Sequence, residues 1–195
     1  IFSPLYSYDT TGNLRGDLAS SISNKNDQEF TVKLKHGIKW HDGKPLSAKD
    51  VVFTLNLMRD PSARSLGAVS WQGIAAELID DYTVRFLLPA SYAAFPHALT
   101  FAILPQHLLE SIDPVALREN TFSTNPIGSG PFSFQLLQTI NNTSERKIIY
   151  LNANEGYYGG RAQLDRLQIH SYTDDDSVKQ ALKTGQVTGA SDISG

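Results

Sequence analysis

Apolar and polar positions alternate along this chain in two different periods, and the change of period marks its elements. Over residues 29–35, Phe30, Val32 and Leu34 alternate with Thr31, Lys33 and Lys35. That period of two predicts a β-strand with one face buried and the other in water. His36-Gly37 then turns the chain. Beyond the turn dipeptide Asp42-Gly43, the spacing of Val51, Val52, Leu55 and Met58 becomes helical and gives one buried stripe. Ser47 is placed to cap this helix, Asp50 three residues on forms a weak capping box, and Pro61 prevents continuation.

The same reading predicts strands over 73–79 and 82–88, joined by a tight turn at Asp80-Asp81, with Tyr82, Val84, Phe86 and Leu88 on one face. A short helix over 92–99, a brief strand over 101–104 and a helical turn after Pro105 follow. Strands over 131–140 and 146–151 are predicted to pair across the polar loop 141–144. A strand over 167–171 leads to a helix over 175–183, which stops at Gly185, and 187–190 reads as one more strand. No internal repeat or low-complexity stretch interrupts the chain. Strands and helices mixed without regular alternation predict one α/β (mixed α+β) domain, with mixed sheets flanked by helices, rather than a barrel.

Composition narrows the function classes. At 195 residues, 41% hydrophobic and 19% charged, the chain has ordinary globular usage and is long enough to bury a sizeable core. A net charge of -3 with scattered Lys and Arg supplies no basic field, so nucleic acid is not an expected partner. The acidic run Asp174-Asp175-Asp176 reads as a solvated helix start. With no cysteine, disulfides, zinc-thiolate sites, iron–sulfur clusters and cysteine nucleophiles are excluded. No apolar run has the length of a membrane helix. The chain opens on Ile1 rather than Met and ends on Ser194-Gly195, so it is expected to be a piece of a longer protein.

Candidate chemistry is sparse. His41-Asp42 has the look of a base with an orienting carboxylate, and His36 adds a second imidazole, but no further ligand follows at metal-binding spacing and Asp-Gly is turn chemistry. Gly128-Ser129-Gly130 lacks the Gly-x-Ser-x-Gly of a nucleophile elbow and the Lys of a phosphate loop; its glycines suit a close backbone crossing. Trp71, in a loop of small residues, suits either a ligand-facing aromatic or ordinary packing, and Trp40 is expected to pack. Asn141 and Asn142 each begin a glycosylation sequon. No catalytic constellation, cofactor site or metal site is expected.

Several segments, taken in order, resemble one family. Residues 5–18 with Asp17-Leu18-Ala19 open the match; 30–55, reading FTVKLKHGIKWHDGKPLSAKDVVFTL, is its strongest part. Asp81-Tyr82-Thr83-Val84, the block NPIGSGPF at 125–132, LNANEGYYGG at 151–160 and ALKTGQV at 181–187 continue it, with Thr188 where that family usually has Asp. Together they resemble the family 5 solute-binding proteins of ABC importers. The resemblance implies a periplasmic binding protein type II-like fold of which residues 1–195 form the first lobe only, a single partial domain with the second lobe absent. It implies a monomeric receptor, not an enzyme, that binds a peptide or other small solute between two lobes and delivers it to membrane permease subunits. Its place is the periplasm or the outer face of the cytoplasmic membrane, lipid-anchored in the full-length protein. On this basis Trp71, Thr100 and Phe101, which precede or begin strands, are candidates for lining the cleft; ordinary packing suits them too. Two other classes stay open: a signalling or interaction module on the same fold, and a hydrolase using Ser129 or His41.

Overall fold

The computed structural model of the chain, which describes residues 1–140 and 146–192, contains three antiparallel sheets. Strands β1 (Tyr6–Tyr8) and β2 (Leu14–Gly16) form a hairpin. Strands β3 (Ala19–Lys25), β4 (Glu29–Leu34), β5 (Ala75–Asp80) and β6 (Thr83–Leu87) form a sheet in the order β3-β4-β6-β5. Strands β7 (Phe132–Ile140), β8 (Arg146–Ala153) and β9 (Arg166–Ser171) form the third, in that order. The helices are α1 (Ala48–Arg59), α2 (Phe95–Ala98), α3 (Gln106–Leu109) and α4 (Asp175–Lys183).

The core sits on one face of the four-stranded sheet. Phe30 pairs across strands with Phe86 and Val32 with Val84, and all four are buried. The alternation in β4 and β6 therefore does what the pattern predicts, each large side chain contributing about 1.5–3 kcal/mol by leaving water. Phe95, on α2, closes over this pair with ring centroids 5.0 Å from Phe30 and 5.4 Å from Phe86. Helix α1 lies against β5 and β6, burying Val51 and Leu55. Its capping box forms in full: the Ser47 side chain accepts from the Asp50 backbone N–H, and from Lys49 N as well, while the Asp50 side chain accepts the Ser47 N–H.

The structure departs from the pattern in five places. Strands β1 to β3 carry little apolar alternation, because most of their side chains are not buried; in β3 only Ala19 is buried. Residues 101–104 form no strand but a single bridge, Ala102 to Pro4, since Pro4 has no N–H to extend a ladder. Residues 187–190 form no strand either; the amides of Gln186 and Val187 fold back onto the Ala181 carbonyl and close the end of α4. The helix over 92–99 contracts to the four residues of α2, and the β5–β6 turn falls at Asp81-Tyr82. The loop 141–144, with both sequons, lies outside the described residues.

Candidate ligand-facing surface and the joint beside it

Trp71 ends a 3-10 turn, Ala68–Trp71, that follows the exposed Leu66. Its indole turns inward and is 6% exposed. It meets Phe101 edge-on at 4.9 Å between ring centroids and Phe95 at 5.9 Å, the geometry that aromatic quadrupoles favour. Phe101 is half-buried against the same core, and Thr100 beside it is exposed, its hydroxyl donating to the His97 carbonyl at 3.2 Å. The structure thus brings Trp71 and Phe101 together and leaves Thr100 as the member of the three with an open surface. Tyr8 and His97 stand nearby, joined by a hydrogen bond of 2.8 Å between the phenol and Nδ1.

The second cluster joins the four-stranded sheet to the β7–β8–β9 sheet. The turn after β4 presents His41, whose backbone N–H donates to the Gly128 carbonyl at 2.8 Å. Its Nδ1 accepts from the Gly128 N–H at 3.1 Å, so the ring proton is on Nε2, which donates to the Gly130 carbonyl at 3.0 Å. Gly130 O also accepts from the Asn154 side chain at 3.0 Å, and Asn154 N–H reaches the Pro131 carbonyl at 2.9 Å. Burial, outweighing the Gly130 bond and Asp42, lowers the pKa of His41.

The glycines are a steric requirement here. A Cβ on Gly128 would stand 2.2 Å from the Ile1 carbonyl oxygen, and one on Gly130 2.6 Å from it. A few residues on, the Tyr158 hydroxyl donates to Asp17 and Lys35 stands over its ring at 5.5 Å. Burial and then Asp17 push the Tyr158 phenol well above the usual tyrosine range. Asn154 and Tyr158 are legible in the sequence only as parts of the block 151–160; that they close this joint is not.

The catalytic alternatives find no support in this geometry. Asp42 pairs with His107 Nε2 at 2.8 Å, not with His41. Burial pushes the Asp42 carboxyl up, but the His107 and Lys44 hydrogen bonds outweigh it and hold the pKa below the usual range. Ser129 is fully buried with its hydroxyl unpartnered among the described residues, and both His41 ring nitrogens are committed to backbone. His36 packs against the Tyr82 ring at a tilt of 37°, with centroids 4.0 Å apart. No group of three metal-ligating side chains occurs among the described residues, and none of their helices is long and apolar enough to cross a membrane. Two open depressions of about 900 and 930 Å³ lie on the surface, the first flanked by Gln168, His170 and Val178, the second by Lys33, His36 and Tyr82. Neither includes Trp71.

Residues 13–194 match the family described as bacterial extracellular solute-binding proteins, family 5 middle. A Brucella ovis protein provisionally named an ABC transporter peptide-binding protein is 38% identical over 191 residues, 95% of this chain and 35% of that relative. The oligopeptide-binding protein AppA of Bacillus subtilis is 33% identical over 192 residues, 96% of this chain and 34% of AppA. Its structure in complex with a nonapeptide superposes with a TM-score of 0.83, covering 96% of this chain and 37% of AppA, at 32% identity. NikZ from Campylobacter jejuni, in complex with Ni(L-His), gives 0.84 over 96% of this chain and 36% of NikZ, at 30% identity. The chain spans about a third of the length of the curated relatives it matches.

Proposed function

The chain belongs to family 5 of the bacterial extracellular solute-binding proteins, and on that premise we propose that it is the first-lobe part of an ABC-importer receptor for peptides or similar small solutes. The match over residues 13–194, together with the fold shared with the AppA–nonapeptide complex, carries this reading. The solute is held between this lobe and a second one, with affinity from burial and backbone hydrogen bonds and no bond chemistry, and lobe closure presents it to the permease subunits. The receptor works as a monomer, without nucleic acid, at the periplasmic or outer face of the cytoplasmic membrane, and a lipid anchor holds the full-length protein there.

On this lobe the cleft wall is formed by Thr100 and Phe101, with Trp71 supporting Phe101 from behind. Residues 1–195 act as a single partial domain, so this chain alone supplies one wall of the cleft and binds solute weakly. Native mass spectrometry of the full-length protein tests the reading. A copurified peptide or chelate supports it, and a protein free of solute that still captures a protein partner turns the reading toward a signalling module.

A further inference from the structure

His41 is tied to the crossing segment 128–130 by three hydrogen bonds: backbone N–H to Gly128 O, Gly128 N–H to Nδ1, and Nε2–H to Gly130 O. Only the neutral ring protonated on Nε2 satisfies the last two together. An imidazolium would carry a proton on Nδ1 and set it against the Gly128 N–H, two donors 3.1 Å apart. No carboxylate stands ready to receive that proton. Asp42 favours the charged ring electrostatically, but its carboxylate is bonded to His107 and to the Lys44 N–H. The crossing itself carries no titratable side chain, and Asn154, which shares Gly130 O with the imidazole, is neutral.

We propose that His41 is an acid-sensitive latch. Neutral, it seats the 128–130 crossing on the four-stranded unit; protonated at Nδ1, it releases Gly128 and loosens the attachment of the β7–β8–β9 sheet. The Gly130 N–H bond to the Ile1 carbonyl and the Tyr158–Asp17 bond keep the sheet tethered when the latch opens, so the change is a local loosening and not global unfolding. The latch is independent of the solute-receptor reading, because its geometry lies within this chain.

The test is amide hydrogen exchange on the full-length protein at about pH 7.5 and about pH 5.5, corrected for the pH dependence of the chemical step. Protection at Gly128 falls across that interval by up to about tenfold, the limit set by an imidazole that ionises near 6.5 once released, while Val32 in β4 keeps its protection. His41→Asn, which retains an acceptor near the Nδ1 position and does not titrate, abolishes the pH response; His107→Gln leaves it intact. Equal pH dependence in the wild type and His41→Asn overturns the proposal. Should His41→Asn fail to fold, ¹⁵N NMR of the wild-type imidazole decides: a neutral ring protonated on Nε2 that titrates together with Gly128 exchange is required, and an Nδ1-protonated ring at neutral pH overturns it.

Discussion

Asp50 Oδ1 accepts the backbone N–H of Gln106 at 2.9 Å, so a carboxylate in the first turn of α1 fixes the start of α3, 56 residues away. Its Oδ2 accepts the Ser47 N–H at 2.8 Å, and the side chain is buried. Burial raises the Asp50 pKa, against the two amide bonds that favour the carboxylate. Asp50→Ala loses the reciprocal half of the cap and leaves two N–H groups without a partner, for a loss of about 3 kcal/mol. Urea unfolding with an unchanged slope measures it; a loss under about 1 kcal/mol would show that the tie is incidental.

Gly128 and Gly12 separate two reasons for glycine. At Gly128 the obstacle is the Ile1 carbonyl oxygen, 2.2 Å from where a side-chain methyl would stand, while Gly12 has open space but φ of +80°. Gly128→Ala is expected to cost at least about 3 kcal/mol, because backbone must move, and Gly12→Ala about 1 kcal/mol. Thermal unfolding of the two variants side by side gives the ranking, and the reverse order would contradict the crossing geometry.

Tyr158→Phe keeps the ring under Lys35 and deletes the bond to the half-buried Asp17. The loss should be about 1–3 kcal/mol, the range for hydrogen bonds to charged groups. Asp17→Asn in the Tyr158→Phe background should then cost little, which a double-mutant cycle reads directly.

Phe95 touches Phe30, Phe86 and Trp71 and is fully buried. Phe95→Ala should destabilise by about 3–5 kcal/mol, whereas Leu66→Ala, at a fully exposed side chain, should stay within about 0.5 kcal/mol. Equal effects in chemical denaturation would place the core elsewhere.

The His41 pKa is lowered in the folded chain, first by burial. Between its folded value and the ordinary imidazole value of about 6.5, the unfolded chain binds more protons than the folded one. Its contribution to stability is therefore complete above about pH 6.5 and declines as pH falls below it toward the folded value. Tm should drop from about pH 7.5 to about pH 5.5, and the drop should be smaller in His41→Asn; an identical drop would assign the acid sensitivity to other groups.

Where burial is periodic and local, the sequence is readable. The Ser47–Asp50 cap, the alternation of β4 and β6 and the α4 stop at Gly185 all depend on neighbours a few residues apart. Strand β3 escapes such a reading because an edge strand with one buried residue carries no apolar signal. The joint escapes for a different reason. His41 and Gly128 lie 87 residues apart, and Tyr158 and Asp17 141 apart, and nothing in either local pattern announces its partner. Asp-Gly and Gly-Ser-Gly are readable as turn and crossing, but not as two sides of one contact. Trp71 is the least determined: a tryptophan among small residues suits a rim as well as a core, and only the positions of Phe95 and Phe101 turn it inward.

The central claim, that this chain is one wall of a solute receptor, is tested most directly by calorimetry with a panel of short peptides on both the 195-residue chain and the full-length protein. The account predicts a saturable peptide complex in the full-length protein that Thr100→Trp weakens at least about tenfold, with weak or undetectable binding by the chain alone. Tight peptide binding by the isolated chain, or a full-length complex indifferent to Thr100→Trp and Phe101→Ala, would contradict it.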